Sequence, residues 1–283
     1  MKVAIQGVKN SFHEIAAKEF WKENALNNTL EISECSSFPK LFLELSNGNV
    51  DFAVMAIENA IAGSILPNYS LMEKYSVKIL GEIYLKIEMC LLSLPEDNFE
   101  DIKIIQSHPM AIIQCQDFLN QYPHIKILEH ADTAESAKEI RENFMRGVAS
   151  IANRLAAKEF KLKLLRENIE TNSLNFTRFL ILCRDADYKN NDLATKATIR
   201  FEAEDKPGSL SKILQLIFSH KINMTKIQSI PVLGRPYYYG FHIDLEWDNI
   251  KNYRLLMEEL KVKAKNIIHF GEYFAAVKPT EIK

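Results

Sequence analysis

Apolar residues recur along the first two-thirds of the chain in two alternating rhythms. Short runs such as 2–6, 51–57, 102–105, 125–128 and 148–152 read as strands, most of them apolar on both sides, as in a parallel sheet covered on both faces. Between them, helical spacing appears from Ser11 through Ile15, Ala16, Glu19 and Phe20, over 39–45, from Pro109 through Ile112, Ile113 and Phe118, from Asp132 or Thr133 as cap, and from Asn153. Residues 30–32 form another strand, and 77–90 hold one or two long strands that cross into a second lobe. Repeated β-α order predicts an α/β class with a mainly parallel sheet. After a polar stretch at 184–192 the pattern changes to β-α-β-β-α-β over 195–283, the ferredoxin-like order. There a helix with Leu210, Ile213, Leu214, Ile217 and Phe218 on one face precedes strands at 222–232 and 236–247, joined by Leu233-Gly234-Arg235. A small sheet of this kind has edges and an open face, which pairing with a second copy covers.

Hydroxyl residues stand repeatedly where a strand gives way to a helix: Ser11, Ser64, Ser107 and Thr133. Ser11 and Glu14 have the spacing of a capping box. The strand at 51–57 runs into Glu58-Asn59-Ala60-Ile61-Ala62-Gly63-Ser64, which gathers a carboxylate, an amide and a hydroxyl at a strand's carboxyl end. Open α/β sheets bind ligands along that edge, although Glu58 could equally cap backbone. His108, before Pro109, reads as a capping or packing residue rather than a base. The most pointed feature is Asn175-Phe176-Thr177-Arg178-Phe179, where a hydroxyl and a guanidinium open an apolar strand. A buried arginine calls for an anion, which its planar fork holds by paired hydrogen bonds. Together these make a cleft of neutral donors and helix N-termini suited to an anion.

Composition narrows the class. A net charge of −2 gives no basic footprint for nucleic acid, and no apolar run approaches membrane-spanning length. The first residues enter a strand without a signal-peptide pattern, so a cytoplasmic location is expected. Cys35, Cys90, Cys115 and Cys183 lie far apart in apolar segments and read as buried free thiols. Neither they nor the seven histidines have metal-ligand spacing, so no metal site and no cofactor are expected.

Six spaced motifs resemble the prephenate dehydratases with a C-terminal ACT regulatory domain. They are Gly7 to Phe12 with Glu14 to Ala17; Ala56 to Gly63; Ser107-His108-Pro109-Met110-Ala111 with Gln114-Cys115; Asp132 to Ala137; Asn175 to Phe179; and, in the last part, Pro207 to Leu210 with Asn223 to Pro231. The resemblance implies a two-lobed, periplasmic-binding-protein-like catalytic domain over 1–184, with lobe 1 about 1–82 and 166–184 and lobe 2 about 83–165. A linker at 185–194 and an ACT domain at 195–283 follow. It implies a hydro-lyase that converts prephenate to phenylpyruvate, carbon dioxide and water in L-phenylalanine biosynthesis. Thr177 would assist the leaving hydroxyl and Arg178 hold a substrate carboxylate, with Asn59, Ser11, Ser107, Thr133, Glu58 and Phe179 as further substrate-site residues. L-Phenylalanine is the implied effector, near Gly208, Ser209, Leu210 and Asn223, in a homodimer or homotetramer. The chain departs from the family pattern at Asn10, Ala60 and Thr171, and at Gln228 and Ile230, where Glu and Arg are usual. The alternatives are an arogenate dehydratase and a non-enzymatic amino-acid-sensing binding protein.

Overall fold

The structure is a computed structural model that describes residues 1–24, 29–232 and 234–279. Its chain forms two compact units. The first takes Met1–Asn68 and Ile83–Phe179, with Lys278 and Pro279, and the second takes Tyr69–Glu82 and Leu180–Val277.

The chain begins β1 (Lys2–Gln6), α1 (Phe12–Glu23), β2 (Glu31–Cys35), α2 (Phe38–Ser46), β3 (Phe52–Asn59), the two-residue β4 (Gly63–Ser64), α3 (Leu66–Tyr75) and β5 (Val77–Lys86). It continues β6 (Cys90–Ser93), β7 (Ile104–Ser107), α4 (Pro109–Gln114), α5 (Gln116–Leu119), β8 (Lys126–Glu129), α6 (Thr133–Glu142), β9 (Val148–Ala152), α7 (Arg154–Glu159) and β10 (Lys163–Arg166), then returns as β11 (Phe176–Arg184). The first lobe's sheet has the order β2-β1-β3-β11-β5, with β1 parallel to β2 and β3. The second lobe's sheet runs β10-β6-β9-β7-β8. The two-lobed α/β architecture is therefore present, with the chain passing between lobes after β5 and before β11.

Each lobe is built as the patterning dictates. The apolar run of β3 is buried from Ala53 to Ile57 because α1 and α2 cover its sheet, α2 contributing Leu41, Phe42 and Leu45. Full burial of each such side chain stabilises by roughly 1.5–3 kcal/mol. The turn after β1 reaches the second lobe. There Val8 packs beside Leu92 and Ala134, Asn153 Nδ2 donates to the Asn10 carbonyl at 2.6 Å, and Lys9 pairs with Glu159 at 2.9 Å. Glu14 does close a box at α1, but onto the N–H of Asn10, while the Ser11 hydroxyl accepts from the N–H of Glu14.

Three elements lay outside the sequence expectations, the two-residue β4 among them. Helix α3 carries no one-sided apolar stripe, and β10 is four residues long and pairs at a sheet edge. The long 77–90 segment is two strands, β5 and β6, broken at 87–89.

In the second unit, β12 (Lys196–Glu202), α8 (Ser209–Ser219), β13 (Asn223–Pro231), β14 (Tyr239–Glu246), α9 (Ile250–Lys263) and β15 (Lys265–Tyr273) form the ferredoxin-like βαββαβ order. Their sheet is antiparallel in the order β13-β14-β12-β15. Its core holds Ile199, Phe201, Ile213, Ile243 and Leu245 against Tyr253 and Leu256. The polar stretch before β12 is anchored, since Tyr188 accepts the Glu272 N–H at 2.6 Å. Of the residues expected to join β13 and β14, Leu233 lies outside the described residues.

Gly7 carries a sharp constraint. Its φ is +96°, and a Cβ there would sit 2.7 Å from Asp132 Oδ2. Gly7→Ala combines an unfavourable backbone region with displacement of a helix cap, and is expected to cost about 1–3 kcal/mol. Urea unfolding against wild type measures this, and an unchanged midpoint would refute it.

Candidate active site

A cavity of about 590 Å³ opens in the first unit where strands of both lobes give way to helices. Four helices begin at its wall: α1 with Phe12 and His13, α3 with Leu66 to Asn68, α4 with Met110 and Ala111, and α6 with Thr133. Unsatisfied N–H groups and the positive ends of helix dipoles are thereby turned toward one space. Among the described residues its lining includes no lysine and no arginine. Its lining does include the Asp132 carboxyl, whose pKa burial raises, so what the cavity offers an anion is backbone N–H groups and neutral donors.

The centre of the wall is a chain of amides ending on a hydroxyl. At the end of β3, Asn59 Oδ1 accepts the N–H groups of Ile61 and Ala62, both at 2.9 Å, as an Asx turn does. That pins the amide, so Nδ2 must face the other way. It donates to Asn175 Oδ1 at 2.7 Å and to Thr177 Oγ1 at 3.0 Å, with the Phe176 carbonyl sharing the second hydrogen at 3.2 Å. Asn175 Nδ2 in turn donates to Gln114 Oε1 at 2.8 Å. The orientation of each amide follows from its neighbour. Thr177 Oγ1 consequently accepts, and its own proton is left to donate into the cavity that Thr177 lines.

Strand alternation separates the two residues that stand side by side in the sequence. Successive side chains of a strand point to opposite faces. Thr177 and Phe179 both line the cavity, whereas Arg178 lines a separate pocket of about 340 Å³ with Glu58, Tyr84 and Phe176. There its guanidinium, 3% exposed, pairs with Glu58 at 3.5 Å. Asn59 borders both spaces, and Thr133 lines the larger. Ser11 is consumed as the cap of α1, and the Ser107 hydroxyl donates to the Ile151 carbonyl at 2.6 Å; neither lines the cavity.

Gln114, Asn175 and His13 belong to the cavity or its support, yet the sequence did not single them out as site residues. Gln114 and Asn175 sit inside motifs read for their neighbours. His13 had only its place one residue beyond the first-turn motif. Its ring is wedged edge-on by Phe38 and Phe179, with centroids 5.5 and 5.1 Å away. Burial above all, helped by the proximity of His108, pushes its pKa down to about 3. His108 caps α4 through Nδ1, which accepts the Met110 N–H at 3.2 Å, and burial lowers its pKa as well. Asp132 caps α6 by accepting the Glu135 N–H at 2.9 Å, and burial raises its pKa.

In the second unit, Gly208, Ser209 and Leu210 line a pocket of about 260 Å³ with Tyr237, Tyr239 and Phe241. Gly208 adopts φ +81° to start α8. Asn223 opens β13 and is not among that pocket's lining residues.

These features define a two-lobed α/β domain with a cavity walled by helix starts and neutral donors, carried on one chain with a ferredoxin-like βαββαβ domain. The sequence pattern of the prephenate dehydratase family matches residues 3–187, and that of the ACT domain matches 197–262. The chain belongs to the prephenate dehydratase family. A bifunctional chorismate mutase/prephenate dehydratase of Aquifex aeolicus is 33% identical over 96% of this chain and 73% of its own length. The solved prephenate dehydratase of Arthrobacter aurescens in complex with L-Phe superposes with a TM-score of 0.83 at 24% identity, covering 97% of this chain and 90% of that one. A structure described as GqqA, a quorum quenching acylase, also gives 0.83, at 25% identity and 98% coverage of both chains.

The low pKa of His13 makes a testable contribution to stability. Its folded value lies below the unfolded one near 6.5, so the unfolded chain binds the proton more readily. Stability from this group is complete above about pH 6.5 and is lost as pH falls. Between pH 7 and pH 5 wild type should lose about 2 kcal/mol more than His13→Phe, measured by urea unfolding at the two pH values. Parallel losses would show that His13 is not held neutral.

Proposed function

We propose that this chain carries out the reaction for which its family is named, with Thr177 as hydrogen-bond donor to the leaving group. The observation that carries this assignment is the Asn59 amide, which occupies the acceptor side of Thr177 Oγ1 and leaves the proton for the cavity. Prephenate bears two carboxylates and a ring hydroxyl. The bond from the ring to its carboxylate breaks, carbon dioxide departs, and the electron pair enters the ring. The carbon–oxygen bond to the hydroxyl breaks, and the departing hydroxide takes one proton from solvent to become water. Aromatisation drives both cleavages, so no strong base is needed.

A threonine is too weak an acid to give up its proton outright. Its contribution is a hydrogen bond that strengthens as negative charge grows on the departing oxygen. The carboxylates meet the N-terminal ends of α1, α3 and α6 and neutral donors such as Thr133. Arg178, buried against Glu58, is assigned the task of holding β11 so that Thr177 faces the cavity. Functionally we divide the chain into a catalytic part at 1–184, a connection at 185–194 and an ACT part at 195–283. The ACT part is assigned L-phenylalanine as effector at the pocket of Gly208 to Leu210, in a homodimer or homotetramer in the cytoplasm.

Thr177→Val keeps the shape of the side chain and removes the hydroxyl. Turnover of prephenate, followed as phenylpyruvate, should fall about 10²- to 10³-fold. Asn59→Asp places acceptors where Nδ2 stood, draws the Thr177 proton away from the cavity, and should fall comparably. Rates within threefold of wild type in both variants would remove Thr177 from the chemistry. Arogenate serves as the comparison substrate in the same assay.

Millimolar L-phenylalanine should depress wild-type turnover. A flat response would take phenylalanine out of the role of effector, which is the outcome to watch because Gln228 and Ile230 replace the usual Glu and Arg.

A further inference from the structure

In the cavity wall, His13 presents a ring whose hydrogen-bonding geometry is preset by backbone and whose second nitrogen is unused. It lies in the first turn of α1 and is 9% exposed. Its Nε2 accepts the backbone N–H of Ala56, on β3, at 3.3 Å. A ring nitrogen that accepts carries no hydrogen, so in a neutral imidazole the hydrogen sits on Nδ1. Backbone geometry thus fixes the tautomer. Nδ1 has no hydrogen-bond partner among the described residues, and it is not sealed from solvent. Phe38 and Phe179, which also line the cavity, pack in T-shaped contacts against the ring, and Nδ1, neither bonded nor sealed, is the ring nitrogen left to the cavity that His13 lines.

We propose that His13 is a substrate-binding residue whose neutral imidazole donates its Nδ1–H to a carboxylate oxygen of the substrate. This rests on the reaction proposed above. The physical case is the charge of the cavity: a dianion must be held where the lining has neither lysine nor arginine, so each preset N–H donor counts. A neutral donor of fixed tautomer needs no reorganisation when the substrate arrives. Phe38 and Phe179 hold the ring plane, and Phe179 shares its strand face with Thr177, which ties the binding donor to the reacting end of the cavity.

The test compares wild type, His13→Phe and His13→Asn in prephenate turnover, with ¹⁵N-histidine spectra of wild type. His13→Phe should lower kcat/KM at least tenfold, chiefly through KM. His13→Asn, whose amide puts a donor near the position of Nδ1, should return to within about threefold of wild type. The spectra should show His13 protonated at Nδ1 and bare at Nε2, and its Nδ1 signal should move when phenylpyruvate is added to saturation. A His13→Phe variant with wild-type kcat/KM overturns the proposal. So does an Nε2-protonated tautomer, or an Nδ1 signal unmoved by bound phenylpyruvate; the spectra decide if the variants do not fold. Wild type that never converts prephenate refutes instead the reaction assigned above.

Discussion

The site depends on one amide that cannot turn round. Two backbone N–H groups, those of Ile61 and Ala62, claim the oxygen of Asn59, and the polarity of the amide chain behind Thr177 follows. The nitrogen is forced toward Asn175 and Thr177, Asn175 is forced toward Gln114, and the Thr177 hydroxyl is left as a donor. A flipped Asn59 would strand two N–H groups in a partly buried turn and set two oxygens against each other, at up to roughly 1–3 kcal/mol for each unsatisfied group. The direction of the hydroxyl proton is thus decided by the tight turn after β3, several bonds from any reacting atom.

The second feature is how the cavity gathers backbone and neutral hydrogen-bond donors while charged side chains serve structure. Arg178 is buried with Glu58 on the far side of β11, where pairing offsets the cost of burial. The cavity instead collects helix starts, capped by Ser11, His108 and Asp132. Backbone dipoles cannot swing away or bring a counterion, so the field they create is already organised before substrate enters. His13 fits the same scheme, since it is a donor fixed by backbone and held neutral by its surroundings.

Much of this was legible in the chain. The α/β order, the change to βαββαβ after the polar stretch, and the places of Asn59 at a strand end, Thr133 at a helix start and Thr177 and Phe179 in the first half of one strand all follow from short-range patterning. Helix α3 escaped because its residues carry no one-sided apolar stripe, and β10 because four residues at an edge leave little periodicity. Ser11 and Ser107 have the chemistry of site residues, but their hydroxyls are taken by an N–H and a carbonyl contributed by the folded backbone.

What the sequence by itself determined was the set of elements and the residue types at their junctions, because helix and strand periodicity and capping act over a few residues. It also contained the alternation that sets Thr177 and Arg178 on opposite faces, since that depends only on the pleat. Which face became the cavity was decided by tertiary structure, when β11 took its place between β3 and β5 and Glu58 met the guanidinium. The same holds for His13 and Gln114. Their partners, Ala56 and Asn175, lie 43 and 61 residues away, and only folding brings groups so distant in sequence within hydrogen-bond reach.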